Sequence, residues 1–247
     1  MSRIIWVPVL LVIFIGSLLA NAPARLLAGF LPQDVVIMQG FSGTLWKGRA
    51  GRTMVSVPAG FLHLGTVQWS LRPWSLLTLS PQVNLRSDWG SQVINADLII
   101  KGTQDLVVRE LDARVDADLL RQFAPVALSG SFSTQLQEFE LKDGLPYSAK
   151  GRVVWENAAW VSPGGSVPLG SYALDVEQAP GEVLMGEVVT LSGPLQAEGE
   201  LQLEGRRYAV DILTSGDDAL AGPLKNALSM LAEPGPDGYR IVLDGEF

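Results

Sequence analysis

The chain contains no cysteine and one histidine in 247 residues. Without cysteine there is no thiol catalysis, no disulfide staple and no thiolate metal site, and an oxidising compartment costs the chain nothing. With one histidine, any nucleophile–base pair or histidine-ligated metal must use His63, which stands in the apolar segment Phe61-Leu62-His63-Leu64 and reads as structural. No His-Glu-x-x-His, Gly-x-Ser-x-Gly or Gly-x-x-x-x-Gly-Lys-Ser/Thr string occurs. Basic residues are also scarce: the formal charge is −8, with residues 1–124 at +3 and residues 125–247 at −11. Nucleic acid is therefore an unsuitable partner, because phosphate binding needs a basic face. These absences argue against an enzyme, a cofactor or a metal centre.

The remaining polar clusters have plain readings. Asp112, Asp116 and Asp118 alternate along one face of a strand, but they lack the glycine-hinged loop of a calcium site. Asp217-Asp218 reads as the cap and first-turn acid of a helix that follows. Lys47, Arg49 and Arg52 form the one tight basic cluster, read as solvated charges beside a turn or as a contact for anionic lipid or an acidic partner.

Charge is absent again from Ile4 to Ala20, behind Arg3. A run of that length fits the roughly 17–25 residues that cross a bilayer as a helix. Ala20-Asn21-Ala22 has the small-residue form of a signal-peptide cleavage site, yet the run exceeds the usual h-region of roughly 7–15 residues and Pro23 follows the cut. An uncleaved signal-anchor is the favoured reading. Arg3 then stays cytoplasmic by the positive-inside rule, and the remainder is exported. The expected divisions are a cytoplasmic start (1–3), a transmembrane anchor (4–22) and a membrane-proximal helix or linker (23–32). Two periplasmic β halves follow, at 33–145 and 146–247.

Past Pro32 the pattern becomes period two. Leu111, Ala113, Val115 and Ala117 alternate with Asp112, Arg114, Asp116 and Asp118, as in a strand with one wet face. Similar runs lie at 67–71, 93–100, 132–141, 151–155, 173–176, 195–203, 208–213 and 239–243, with Gly or Pro in most gaps. The fold class is mainly β: an N-terminal transmembrane helix, then a largely antiparallel, curved sheet with short helices expected over 118–123 and 219–231. Gly43 to Ala50 is echoed by Gly151 to Ala158, and Leu64-Gly65-Thr66-Val67 by Leu169-Gly170-Ser171-Tyr172, which suggests a degenerate duplication.

Tryptophan marks the candidate contact residues. Trp46, Trp69, Trp74, Trp89, Trp155 and Trp160 each offer an apolar body with a polar handle, suited to a core edge, a protein interface or the membrane boundary. Trp46, Trp69 and Trp74, with Lys47, Arg49 and Arg52, are the candidate partner or lipid contacts. Trp74, between Pro73 and Leu76-Leu77, is placed at a surface.

Three strings in this order carry a resemblance: Gly40-Phe41-Ser42-Gly43-Thr44-Leu45-Trp46-Lys47-Gly48, then Leu64 to Leu77 with Trp69-Ser70-Leu71-Arg72-Pro73-Trp74, then Gly151-Arg152-Val153-Val154-Trp155. Behind a signal-anchor, and ahead of a terminal Gly238-Tyr239 strand, they resemble the protein N family of bacterial type II secretion systems. The resemblance implies a single-pass inner-membrane protein with a periplasmic domain. Its partners would be other secretion subunits, in the inner-membrane platform and the outer-membrane secretin, and its role non-enzymatic assembly in exporting folded proteins. A looser likeness to AsmA-like lipid-transfer sheets implies an alternative, a module that holds lipid or another hydrophobe.

Overall fold

The computed structural model describes residues 3–32, 34–57, 60–122, 127–162, 165–216, 232–234 and 238–246. The chain divides into two compact units, Met1–Trp89 and Gly90–Phe247.

The first unit begins with helix α1 (Arg3–Ala20), 18 residues long, or about 27 Å at 1.5 Å per residue. Its side chains are described from Val9 onward, apart from residue 12, and those from Val9 to Ala20 are exposed. Among the described residues no helix is long and apolar enough to cross a membrane. A short 3-10 helix follows, Ala24–Gly29, within the segment 23–32 expected as a membrane-proximal helix or linker. Pro23 at its N-cap is extended, so the chain leaves α1 and turns back against the sheet. Strands β1 (Val36–Gly43), β2 (Lys47–Val57), β3 (Gly60–Leu71) and β4 (Gln82–Trp89) form an antiparallel meander. The core of this unit is Ala24, Ala50 and Trp69, with Leu27, Met38, Phe41 and Val83 packed around them. His63 lies on β3 and stacks against Trp89 with ring centroids 6.1 Å apart.

The second unit is an antiparallel sheet of β5 (Gln92–Ile100), β6 (Leu106–Asp116), β7 (Leu128–Lys142), β8 (Leu145–Ser162), β9 (Gly165–Gln178), β10 (Leu184–Ser192), β11 (Leu195–Glu204), β12 (Arg207–Gly216), β13 (Glu233–Pro234) and β14 (Tyr239–Glu246). Neighbours in sequence are neighbours in the sheet, except that β14 pairs with β12 and carries β13 on its outer side. The helix expected over 118–123 is the 3-10 turn Ala117–Gln122, with Asp118 in its first turn. The helix expected over 219–231 and its Asp217-Asp218 cap lie outside the described residues.

Period-two alternation fixes the register of this sheet, since a one-residue slip would invert every side chain. Ala113, Thr134, Val153, Leu174, Val188, Gly199, Ile212 and Ile241 oppose one another in a row from β6 to β14. The next row on the same face is Leu111, Leu136, Gly151, Val176, Gly186, Leu201, Val210 and Leu243. One face is thus apolar and only partly buried. At its end Ala158, Leu169, Tyr172, Leu195 and Ala197 make a dry cluster, with Trp155, Trp160, Val167 and Ile212 packed on it. The other face carries charge.

Candidate partner and lipid contact surface

Three of the candidate residues are built around the β1–β2 turn. Gly43 has φ +87, and a Cβ there would stand 2.5 Å from the Lys47 carbonyl oxygen, so only glycine allows the turn. Across it Thr44 N–H donates to Lys47 O at 2.8 Å, and Lys47 N–H reaches the Thr44 hydroxyl at 3.2 Å. The turn holds the end of α1. Trp46 donates its indole N–H to the carbonyl of Leu19 at 2.8 Å, Leu45 N–H donates to Ala22 O at 2.8 Å, and Pro23 bridges to Thr44. The Leu19 carbonyl, in the last turn of α1 where carbonyls run out of helical donors, thus accepts from Trp46 as well as from Ala22 N–H at 3.2 Å.

Trp69 sits beneath this turn. It is buried, donates its indole N–H to Leu45 O at 3.0 Å and meets Phe41 edge-on at 6.3 Å. Removing an indole of this size from water contributes on the order of 5 kcal/mol gross, at roughly 25 cal/mol per Å² over about 200 Å². Gly48 opposes it, and a Cβ there would stand 2.4 Å from the Trp69 ring. Trp69 therefore acts from within, supporting the surface and not forming it.

Lys47, Arg49 and Arg52 are exposed along β2. Arg49 donates to the Ser42 hydroxyl at 3.0 Å on the neighbouring strand. Arg52 opposes Gln39, farther along β2 from the turn that carries Lys47. The three side chains follow the strand and do not converge on one point.

Trp74 lies on the β3–β4 connector, in a 3-10 helix over Pro73–Thr78, and is 80% exposed. The connector leaves the same end of the sheet as the β1–β2 turn, because Leu71 N–H donates to Trp46 O at 2.7 Å and Arg72 N–H to Gln82 O at 3.0 Å. Leu76, Leu77 and Leu79 beside it are exposed too. Reading the sequence for tryptophans takes Leu76 and Leu77 only as neighbours of Trp74 and leaves out Leu79. Their signal was available in an apolar stretch, bracketed by Pro73 and Pro81, that keeps no strand period.

The match to known proteins follows this architecture. The family described as "Type II secretion system (T2SS), protein N" matches residues 35–242. The chain belongs to the type II secretion system protein N family. Three relatives bear the same printed name, Type II secretion system protein N. The one from Aeromonas hydrophila is 27% identical over 246 residues, covering 96% of this chain and 95% of its own length. That from Vibrio cholerae is 25% identical over 240 residues, at 92% and 90% coverage. That from Klebsiella pneumoniae is 30% identical over 165 residues, at 64% and 61% coverage. No solved structure matches the chain. The type II secretion family match takes in β1 to the first half of β14, so both units belong to it.

Unit two offers this family member a surface of different chemistry. Across β8 to β12 the charged face reads Arg152, Asp175, Glu187, Glu200 and Asp211, each directly opposite the next. Arg152 clasps Asp175 through two N–H groups, and Arg240 clasps Asp211 likewise. The hydrogen bonds hold both carboxyls below the ordinary carboxylate range and both guanidiniums above theirs. A shallow depression of about 770 Å³ on this face is lined by Asp112, Arg152, Asp175, Glu177, Glu187 and Glu200 among others. On the opposite face the Tyr172 hydroxyl stands 2.9 Å from the carbonyl oxygens of Leu169 and Leu195, and burial pushes its pKa up to about 12. Among the described residues no cluster of three or more His, Asp or Glu could hold a metal ion.

Proposed function

We propose that this chain is a non-enzymatic, inner-membrane-anchored assembly component of a type II secretion system, exporting folded proteins from the periplasm. α1 is its anchor, and both units stand in the periplasm beside the inner-membrane platform. The observation that carries the reading is the clip between α1 and the sheet: Trp46 to Leu19 O, Leu45 to Ala22 O and the Pro23–Thr44 bridge. A β unit fastened this way to the end of an exposed apolar helix holds a fixed position relative to the helix. That suits a scaffold. Other secretion subunits, in the platform or the secretin, are the partners, and Lys47 and Trp74 their candidate contacts.

The test is photocrosslinking in intact cells from positions 47 and 74, with adducts identified by mass spectrometry. Secretion-subunit adducts, together with exoproteins stranded in the periplasm when the gene is deleted, support the reading. Normal secretion in that deletion sinks it.

A second reading, a lipid- or hydrophobe-binding module of AsmA-like kind, is favoured by one observation. The apolar rows of unit two are only partly buried, so this face retains surface an acyl chain could cover. Native mass spectrometry of the full chain released from detergent tests it. Stoichiometric phospholipid supports lipid handling, and a lipid-free spectrum removes it.

A further inference from the structure

The β3–β4 connector combines two features that are unfavourable in water. Trp74, Leu77 and Leu79 are 80%, 78% and 85% exposed. Leu79 also has φ 54, in the left-handed region where a leucine is rarely found. The loop is nevertheless built, not slack: the Ser75 hydroxyl donates to Arg72 O at 2.6 Å and accepts from Gln82 N–H at 2.9 Å. Thr78 donates to Ser75 O at 2.8 Å, and the Arg72 guanidinium donates to Gln82 Oε1 at 3.0 Å. A strained, tied and water-exposed apolar loop points to an apolar environment that is missing in solution.

Its position says which environment. The connector and the β1–β2 turn leave the same end of the sheet, and that turn holds the carbonyl of Leu19 in the last turn of α1 and that of Ala22 just beyond it. Charge agrees. Residues 1–89 carry seven Lys+Arg against two Asp+Glu, or +5, and no acidic residue occurs from Val35 to Ser87. The rest of the chain carries eleven against twenty-four, or −13. Arg25, Lys47 and Arg72 are exposed near this end. Tryptophan with leucine, flanked by basic side chains, is the composition of a segment lying in a membrane interface.

We propose that the β3–β4 connector is a second membrane contact: Trp74, Leu77 and Leu79 enter the periplasmic leaflet beside α1, while Lys47, Arg25 and Arg72 meet anionic headgroups. The proposal rests on α1 being the anchor. Two points of attachment, unlike one, fix the orientation of unit one on the bilayer.

The absence of cysteine makes the test direct. Leu77→Cys, Leu11→Cys and Ser56→Cys, each in the full-length chain, are spin-labelled and reconstituted into vesicles of phosphatidylethanolamine and phosphatidylglycerol. Oxygen and nickel accessibility then report the depth of each label. Position 11 lies in α1 and position 56 near the far end of β2. The expected result is a label at 77 about 5–10 Å into the headgroup–acyl boundary, a label at 11 in the hydrocarbon and a label at 56 in water. A label at 11 in lipid with one at 77 in water overturns the second contact and leaves the anchor standing. Both labels in water overturn the contact and the anchor together.

Discussion

Gly48 has no side chain because Trp69 occupies the space where one would be. Its Cβ would meet the indole at 2.4 Å and the Thr44 carbonyl at 2.8 Å. Gly48→Ala is expected to lower stability by about 1–3 kcal/mol, as overpacking does, read from the midpoint of chemical denaturation. Tyr172 gives a prediction with a defined sign. Its folded pKa lies near 12 against 10.0 for the free side chain, so the folded state holds its proton longer than the unfolded one. The resulting stabilisation is fully present below pH 10 and is lost as the pH rises toward 12, an expected loss of about 2–3 kcal/mol at 1.36 kcal/mol per pH unit. In an ultraviolet pH titration, native protein should retain one un-ionised phenol at pH 11 that Tyr172→Phe lacks.

At the scale of elements, the strands were the most legible part. Alternation in Leu111 to Asp116 is a local pattern, and β6 alternates burial as it implies. The lengths were less legible. β8 runs 18 residues from Leu145 to Ser162, although only 151–155 stand out by period, because bulges at 155–159 interrupt the alternation. The role of the Gly43 to Gly48 string was not legible either, since the clip it forms depends on Leu19 and Ala22, far from the turn in sequence. Trp69 and Trp74 are five residues apart and alike in type, yet one is buried and the other exposed. That difference arises because β3 ends at Leu71 between them. For the connector itself, Leu79→Asn should raise stability in bilayer-free solution by roughly 0.5–1 kcal/mol, because asparagine tolerates the left-handed backbone better. The same change should weaken attachment to vesicles, which a flotation assay would register.

Over the whole molecule, the carboxylates that oppose one another across β9 to β12 have a consequence for ionic strength. Glu187 and Glu200 face each other directly, while Arg152 at one end of the row serves Asp175, and Arg240, on β14 beside the other end, serves Asp211. Like charges in opposite positions are destabilising, and added salt screens them. The basic unit at the amino end responds in the reverse direction, because its attraction to anionic lipid fades with the same screening. Raising sodium chloride from low to physiological levels should therefore move the thermal unfolding of the second unit upward while it loosens the grip of the first unit on phosphatidylglycerol vesicles. A single ion concentration tightens one end of the chain as it releases the other.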